Sequence, residues 1–209
     1  MKAIPRMIQL IGFDDREDSL ITSLIGRFDS GGFKTDELVR VEKADEPGYD
    51  GKVIPTALNG GGLEMTMFLS NCNPFTIAHE LAHVSDIAVR RHESLTNLRC
   101  DQPSAWHLAY KMSSEYYANR TACDYAGQDD IFRAFRSDAA GLLVAAAAKD
   151  WGSFLVYYAL ALGILHGVGR MDVEPIRLLT PKAPLPVRVV KGLTGFKRQS
   201  VVFFDGYGG

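Results

Sequence analysis

Asn73-Pro74-Phe75-Thr76-Ile77-Ala78-His79-Glu80-Leu81-Ala82-His83-Val84-Ser85-Asp86-Ile87-Ala88-Val89-Arg90-Arg91 is the stretch around which the rest of the chain is organised. Asn73 can cap a helix with its side-chain oxygen, and Pro74 suits a first turn, where a missing N–H costs nothing. The pattern predicts a helix from Pro74 to about Arg91. Inside it, His79 to His83 reads HExxH. Four residues apart, the two imidazoles lie one turn above each other on one face, so both can reach a single ion. Glu80 is rotated about 100° from His79. It can address a water at the metal without filling a coordination position, the geometry of a general base. The competing reading is a surface helix with two unremarkable histidines. The apolar Leu81 and Ala82 and the patterned strand upstream favour a buried, metal-binding helix.

A catalytic zinc takes three protein ligands and leaves a fourth position open. Asp86 lies one turn past His83, too far along a straight helix to share the ion. His92 would need the helix to break after Ile87, and no glycine is there to turn the chain. His107 falls two turns before Glu115, and an exposed helical turn accounts for it. Glu115 is the strongest candidate. Glu115, Ala118, Asn119 and Ala122 fall at i, i+3, i+4 and i+7, one face of a second helix. Glu115 offers a carboxylate. Asn119 can accept the free ring N–H of a metal-bound histidine and so orient it. The two alanines permit close packing on the HExxH helix.

Outward from this centre, Leu63 to Ser70 alternates: Leu63, Met65, Met67 and Leu69 on one face, Glu64, Thr66, Phe68 and Ser70 on the other. That is a half-buried strand, expected at a sheet edge and beside the site. Residues 5 to 12 read as a strand and Asp18 to Phe28 as an amphipathic helix ending near Gly31-Gly32. Glu37 to Glu42 and Lys52 to Thr56 are β-prone. A helix started by Pro103 and stopped by Gly127 carries Glu115. Asp130 to Lys149 and Trp151 to Val168 make two more, and β-prone pieces recur at Val187 to Val190 and Ser200 to Phe204. No repeat or linker divides the chain, so one domain over 1–209 is expected, with a catalytic core about 60–127 and an extension over 128–209.

Composition bounds the alternatives. The chain has 209 residues, 46% apolar and 23% charged, enough for a core without disulfides. A net charge of -2 with scattered basic residues argues against a nucleic-acid partner. Cys72, Cys100 and Cys123 form no CxxC pair, which fits a reducing compartment. The N-terminus lacks the apolar run of a signal peptide, so a cytoplasmic protein is expected. Trp151 to Val168 is nearly uncharged but only about long enough to span a bilayer. With His166 inside it, a buried core helix is favoured over a membrane segment.

HExxH followed by Glu-x-x-Ala-Asn-x-x-Ala resembles the ImmA/IrrE-type metallopeptidases of the glutamate-zincin group. The matching residues are His79, Glu80, His83, Glu115, Ala118, Asn119 and Ala122, and the likeness spans about 75 to 123. Two features depart from it. Thr121 stands where an aromatic residue is common, and Cys123-Asp124-Tyr125 replaces a Leu-Leu-Met-Pro-like stretch. No helix-turn-helix unit, a frequent companion in that family, accompanies the motif. The resemblance implies an α+β, zincin-like domain, a small mixed sheet with an edge strand beside the site packed on a largely helical core. It implies Zn2+ on His79, His83 and Glu115, Glu80 as base, and Asn119 supporting a ligand. The expected function is peptide-bond hydrolysis in a protein or peptide substrate, a regulatory protein among the candidates. The alternative is a metal-binding regulatory protein of the same fold with little turnover. An edge strand could bind extended peptide by strand addition. Tyr110, Tyr116, Tyr117 and His166 are candidate donors to the oxyanion.

Overall fold

The computed structural model describes residues 7–45, 50–98, 105–178, 186, 189, 191 and 193–196. Its elements are β1 (Gln9–Ile11), α1 (Asp15–Ser30), β2 (Leu38–Lys43), β3 (Gly51–Ala57), β4 (Leu63–Leu69), α2 (Pro74–Leu98), α3 (Ala105–Ala122), α4 (Gln128–Ala148) and α5 (Trp151–Gly167), then a 3-10 turn, Pro175–Leu178. The fold is mixed α+β. The chain divides into two compact units, Met1–Arg99 with Tyr125–Gly127, and Cys100–Asp124 with Gln128–Gly209.

In the first unit the sheet runs β1-β2-β4-β3. β1, β2 and β4 are parallel, and β3 pairs antiparallel with β4. α1 begins earlier than its apolar pattern suggests, because Asp14 and Glu17 form a reciprocal capping box. Asp15, Glu17 and Asp18 in the first turn also suit the positive end of the helix dipole. β4 buries the face read from the sequence: Met65, Met67 and Leu69 are wholly covered and Leu63 nearly so.

The expected position of β4 is corrected. It lies inside the sheet, hydrogen-bonded to β2 on one side and β3 on the other, and among the described residues the edge strand on that side is β3. Pro55 explains the choice. Lacking an N–H, proline is confined within sheets to edges and bulges, and here it pairs opposite Met65 in the outermost strand. Gly51, Val53 and Pro55 stand opposite Leu69, Met67 and Met65 of β4, which puts them on the covered face. Lys52, on the other face, lays its ammonium 5.3 Å from the Phe68 ring centroid. Glycines at the β3–β4 turn take positive φ, +100° at Gly60 and +86° at Gly61, as a tight reversal requires.

α2 packs against α1, β3 and β4. It continues past the predicted end at Arg91 to Leu98, since nothing from Arg91 to Leu98 is Gly or Pro and no signal stops it. Within Phe75 to Ala88 every residue is buried except His79 and His83.

In the second unit α5 packs against both α3 and α4. Its apolar composition is that of a core helix: Tyr116, Leu142, Phe154, Tyr158 and Leu162 share one cluster with Val189 and Leu193. Among the described residues no helix is long and apolar enough to cross a membrane. Contact between α3 and α5 is close because α5 presents glycine. A Cβ at Gly163 would stand 2.5 Å from the Tyr116 carbonyl oxygen, and one at Gly167 2.7 Å from Cys123 Sγ. Pro103, expected to start α3, lies outside the described residues. So do the expected strands Val187 to Val190 and Ser200 to Phe204, apart from Val189, which is helical.

Candidate metal centre

The HExxH turn is set by the start of α2. Asn73 Oδ1 accepts the Thr76 N–H at 2.9 Å, and its amide donates to Thr76 Oγ1 at 3.0 Å. The cap is the one expected from the sequence, and it fixes the register in which His79 and His83 emerge. Their Nε2 atoms stand 3.0 Å apart, with the rings edge to face at 83°. Two nitrogens bound to one tetrahedral zinc at about 2.0–2.1 Å would be roughly 3.3 Å apart. The pair therefore already has nearly the spacing that one ion demands.

Glu115 completes the set. One ligand atom from each of His79, His83 and Glu115 lies within 4.8 Å of the others, and all three residues are half-buried. This group could hold a metal ion. Two imidazoles and a carboxylate make a donor set that suits zinc well. Glu80 lies outside the set but beside it: its Oε1 is 4.0 Å from His79 Nε2, and its side chain is only 5% exposed.

No family model, curated protein or solved structure matches the chain. What the site can do is thus read from its own geometry.

Asn119 is 2% exposed. Its Nδ2 donates to Asp138 Oδ2 at 2.9 Å and to the Leu160 carbonyl at 3.0 Å. Both partners are pure acceptors, so the NH2 must face them and the carbonyl oxygen must face the other way. These bonds tie Asn119 of α3 to α4 and α5 within the second unit.

Other candidates are used differently. Tyr116 Oη and His166 Nδ1 are 2.7 Å apart and both residues are buried, joining α3 to α5 by a side-chain hydrogen bond. Tyr117 packs against the core cluster of the second unit, and Tyr110 and His107 are half-buried on α3. Asp86 is bound on both carboxylate oxygens by Arg90, at 2.6 Å each, a buried ion pair one turn beyond His83. His92 lies on the unbroken part of α2. Tyr125, in the segment that departs from the family pattern, stacks on Phe28 at 4.2 Å with the Arg27 guanidinium over its ring.

The cysteines offer no competing chemistry among the described residues. Burial, with the Glu17 carboxylate second, pushes the Cys72 thiol up to about 11. Burial and Asp124 push Cys123 up to about 12. Both are protonated near neutrality, unlike a nucleophilic or metal-bound thiolate.

Gly51 is a residue that sequence reasoning missed. It opens β3, and its backbone runs so close to Glu80 that an added Cβ would stand 2.6 Å from Glu80 Cγ. The available signal was a glycine in a β-prone run, which can mark a bulge, a bend or a close backbone approach.

Proposed function

We propose that the chain is a zinc-dependent peptidase that hydrolyses peptide bonds in a protein substrate. The observation that carries this reading is the convergence of ligand atoms from His79, His83 and Glu115, with the buried Glu80 carboxylate beside them. The resemblance of these residues to the glutamate-zincin pattern points the same way. His79, His83 and Glu115 would hold the ion. Zinc, when bound, polarises a carbonyl and makes water a nucleophile near neutral pH.

The chain's own residues supply the remainder. Glu80 removes a proton from the attacking water and returns one to the leaving amine. Burial keeps its carboxylate from wandering and strengthens its interaction with the charge that develops. Asn119, in the role the resemblance implies, would accept an imidazole N–H with its carbonyl and so select the tautomer whose other nitrogen faces the metal. Among the described residues no strand pairs with the outer side of β3, so an extended substrate segment can add to it as a further strand.

Metal analysis of the purified chain tests this directly. About one zinc per chain is expected, lost in His79→Ala and Glu115→Ala and kept in Glu80→Gln. Cleavage of unstructured protein substrates should vanish in Glu80→Gln. A chain that cannot be loaded with zinc overturns the metal centre. A loaded wild-type chain that cleaves none of a broad peptide library overturns the peptidase.

A further inference from the structure

Glycine is an unfavourable residue for a strand, since it adds backbone entropy to the unfolded state and no side chain to pack. Gly51 heads β3 opposite Leu69, on the covered face of the sheet. Its φ is not in the left-handed region, so its backbone conformation is open to any residue. Conformation does not explain the glycine. Space does. A Cβ at position 51 would meet three atoms of one side chain, Glu80 Cγ at 2.6 Å, Oε1 at 2.8 Å and Cδ at 2.9 Å. Real Cβ atoms do not approach so closely. Because Cγ is among the three, turning the carboxylate alone brings no relief, and Glu80 would have to leave its rotamer. Its side chain is 5% exposed, so a new rotamer must find room within packed surroundings.

We infer that Gly51 is a positioning residue for Glu80: bare backbone at the first position of edge strand β3 forms the wall against which the carboxylate is seated. The catalytic consequence rests on the role proposed for Glu80, whereas the contact itself does not. The same strand whose outer edge no other described strand covers thus holds the base on its inner face. Substrate addition and base placement are referred to one piece of backbone. A misplacement on the order of 1 Å in a reacting group can cost about a hundredfold in rate.

Two readouts test the inference on the full-length chain. The first needs no activity. Urea unfolding midpoints are compared for wild type, Gly51→Ala, Glu80→Ala and the double variant, all without metal. Gly51→Ala should lower the midpoint when Glu80 is present, and leave it unchanged or raise it when position 80 is alanine. If Gly51→Ala prevents folding, recovery in the double variant is the same result in stronger form. An equal shift in both backgrounds, or a double variant that does not recover, overturns the inference whether or not the chain is a peptidase. The second readout splits the kinetics: Gly51→Ala should keep its zinc and KM while kcat falls at least tenfold. An unchanged kcat with zinc retained also overturns the positioning role. Coupled midpoints in a chain without peptidase activity would uphold the seat for Glu80 and refute the proposed function alone.

Discussion

Replacing Gly163 by alanine should loosen the helix pair that carries Glu115 and Asn119. The added Cβ would stand 2.5 Å from the Tyr116 carbonyl oxygen, 3.1 Å from Asn119 Cβ and 3.3 Å from the Arg120 nitrogen. A tolerable C···O contact is about 3.3 Å, so α3 and α5 must part by roughly 0.8 Å. Two of the three obstructing atoms are backbone, which cannot rotate away. Overpacking of this kind costs about 1–3 kcal/mol, and a clash against helix backbone belongs at the upper end. Alanine returns about 1 kcal/mol through its higher helix propensity. The net expectation is a loss of about 2 kcal/mol. Gly152, in the first turn of the same helix, is the control: its Cβ would meet only Asp150 Oδ1, at an ordinary 3.5 Å. There alanine should be neutral or stabilising by up to about 1 kcal/mol. Urea denaturation followed by far-UV circular dichroism, with chelator competition for zinc affinity, reads both effects. Gly163→Ala should lose stability and bind zinc more weakly. If it is as stable as Gly152→Ala, the close approach of α3 and α5 is refuted, and with it the account of how Asn119 is held.

Two further outcomes are expected. Asp86→Asn should destabilise the chain by about 3–5 kcal/mol, because the Arg90 guanidinium, with its side chain 9% exposed, loses its bidentate carboxylate. A denaturation midpoint within about 1 kcal/mol of wild type would contradict a buried pair. Alkylation at Cys72 and Cys123, followed by peptide mass mapping, should be slow at pH 8 and still climbing about tenfold per pH unit near pH 10. The sign follows from the raised values, about 11 and 12, which keep the thiolate scarce until strongly alkaline pH. A rate at Cys72 that levels off below pH 9.5 would contradict its burial.

The elements that could be read from the sequence were those with a local cause. Asn73 and Pro74 announced the start of α2 because a cap acts within one turn, and the alternation from Leu63 to Leu69 announced β4 because a pleat has period two. Glu115 could be singled out because i, i+3, i+4 and i+7 define a face wherever the helix lies. The edge of the sheet could not be read from β4 alone, since alternation reports one buried face and says nothing of lateral neighbours. Pro55 held that information, as a strand residue with no N–H to give. The Tyr116–His166 bond joins residues fifty positions apart and leaves no periodic trace. Gly163 and Gly167 were silent, and Gly51 ambiguous, for a related reason. A missing side chain reveals its purpose only when the atom that fills the space is known.

Among the described residues β3 pairs with one strand, the other arm of a hairpin turned at Gly60 and Gly61, and it also packs against α2. Peeling it from β4 breaks one ladder and leaves β1, β2 and β4 paired, so it can open without disrupting the rest of the sheet. Each such opening takes away the surface against which Glu80 rests. For the role proposed for Glu80, fraying of this hairpin would limit the lifetime of the seated base, and amide hydrogen exchange along Gly51–Ala57 would time it. Under the proposed function, a peptide laid on the outer edge would clamp β3 from its second side and lengthen that lifetime, so that substrate itself steadies the base that activates the attacking water.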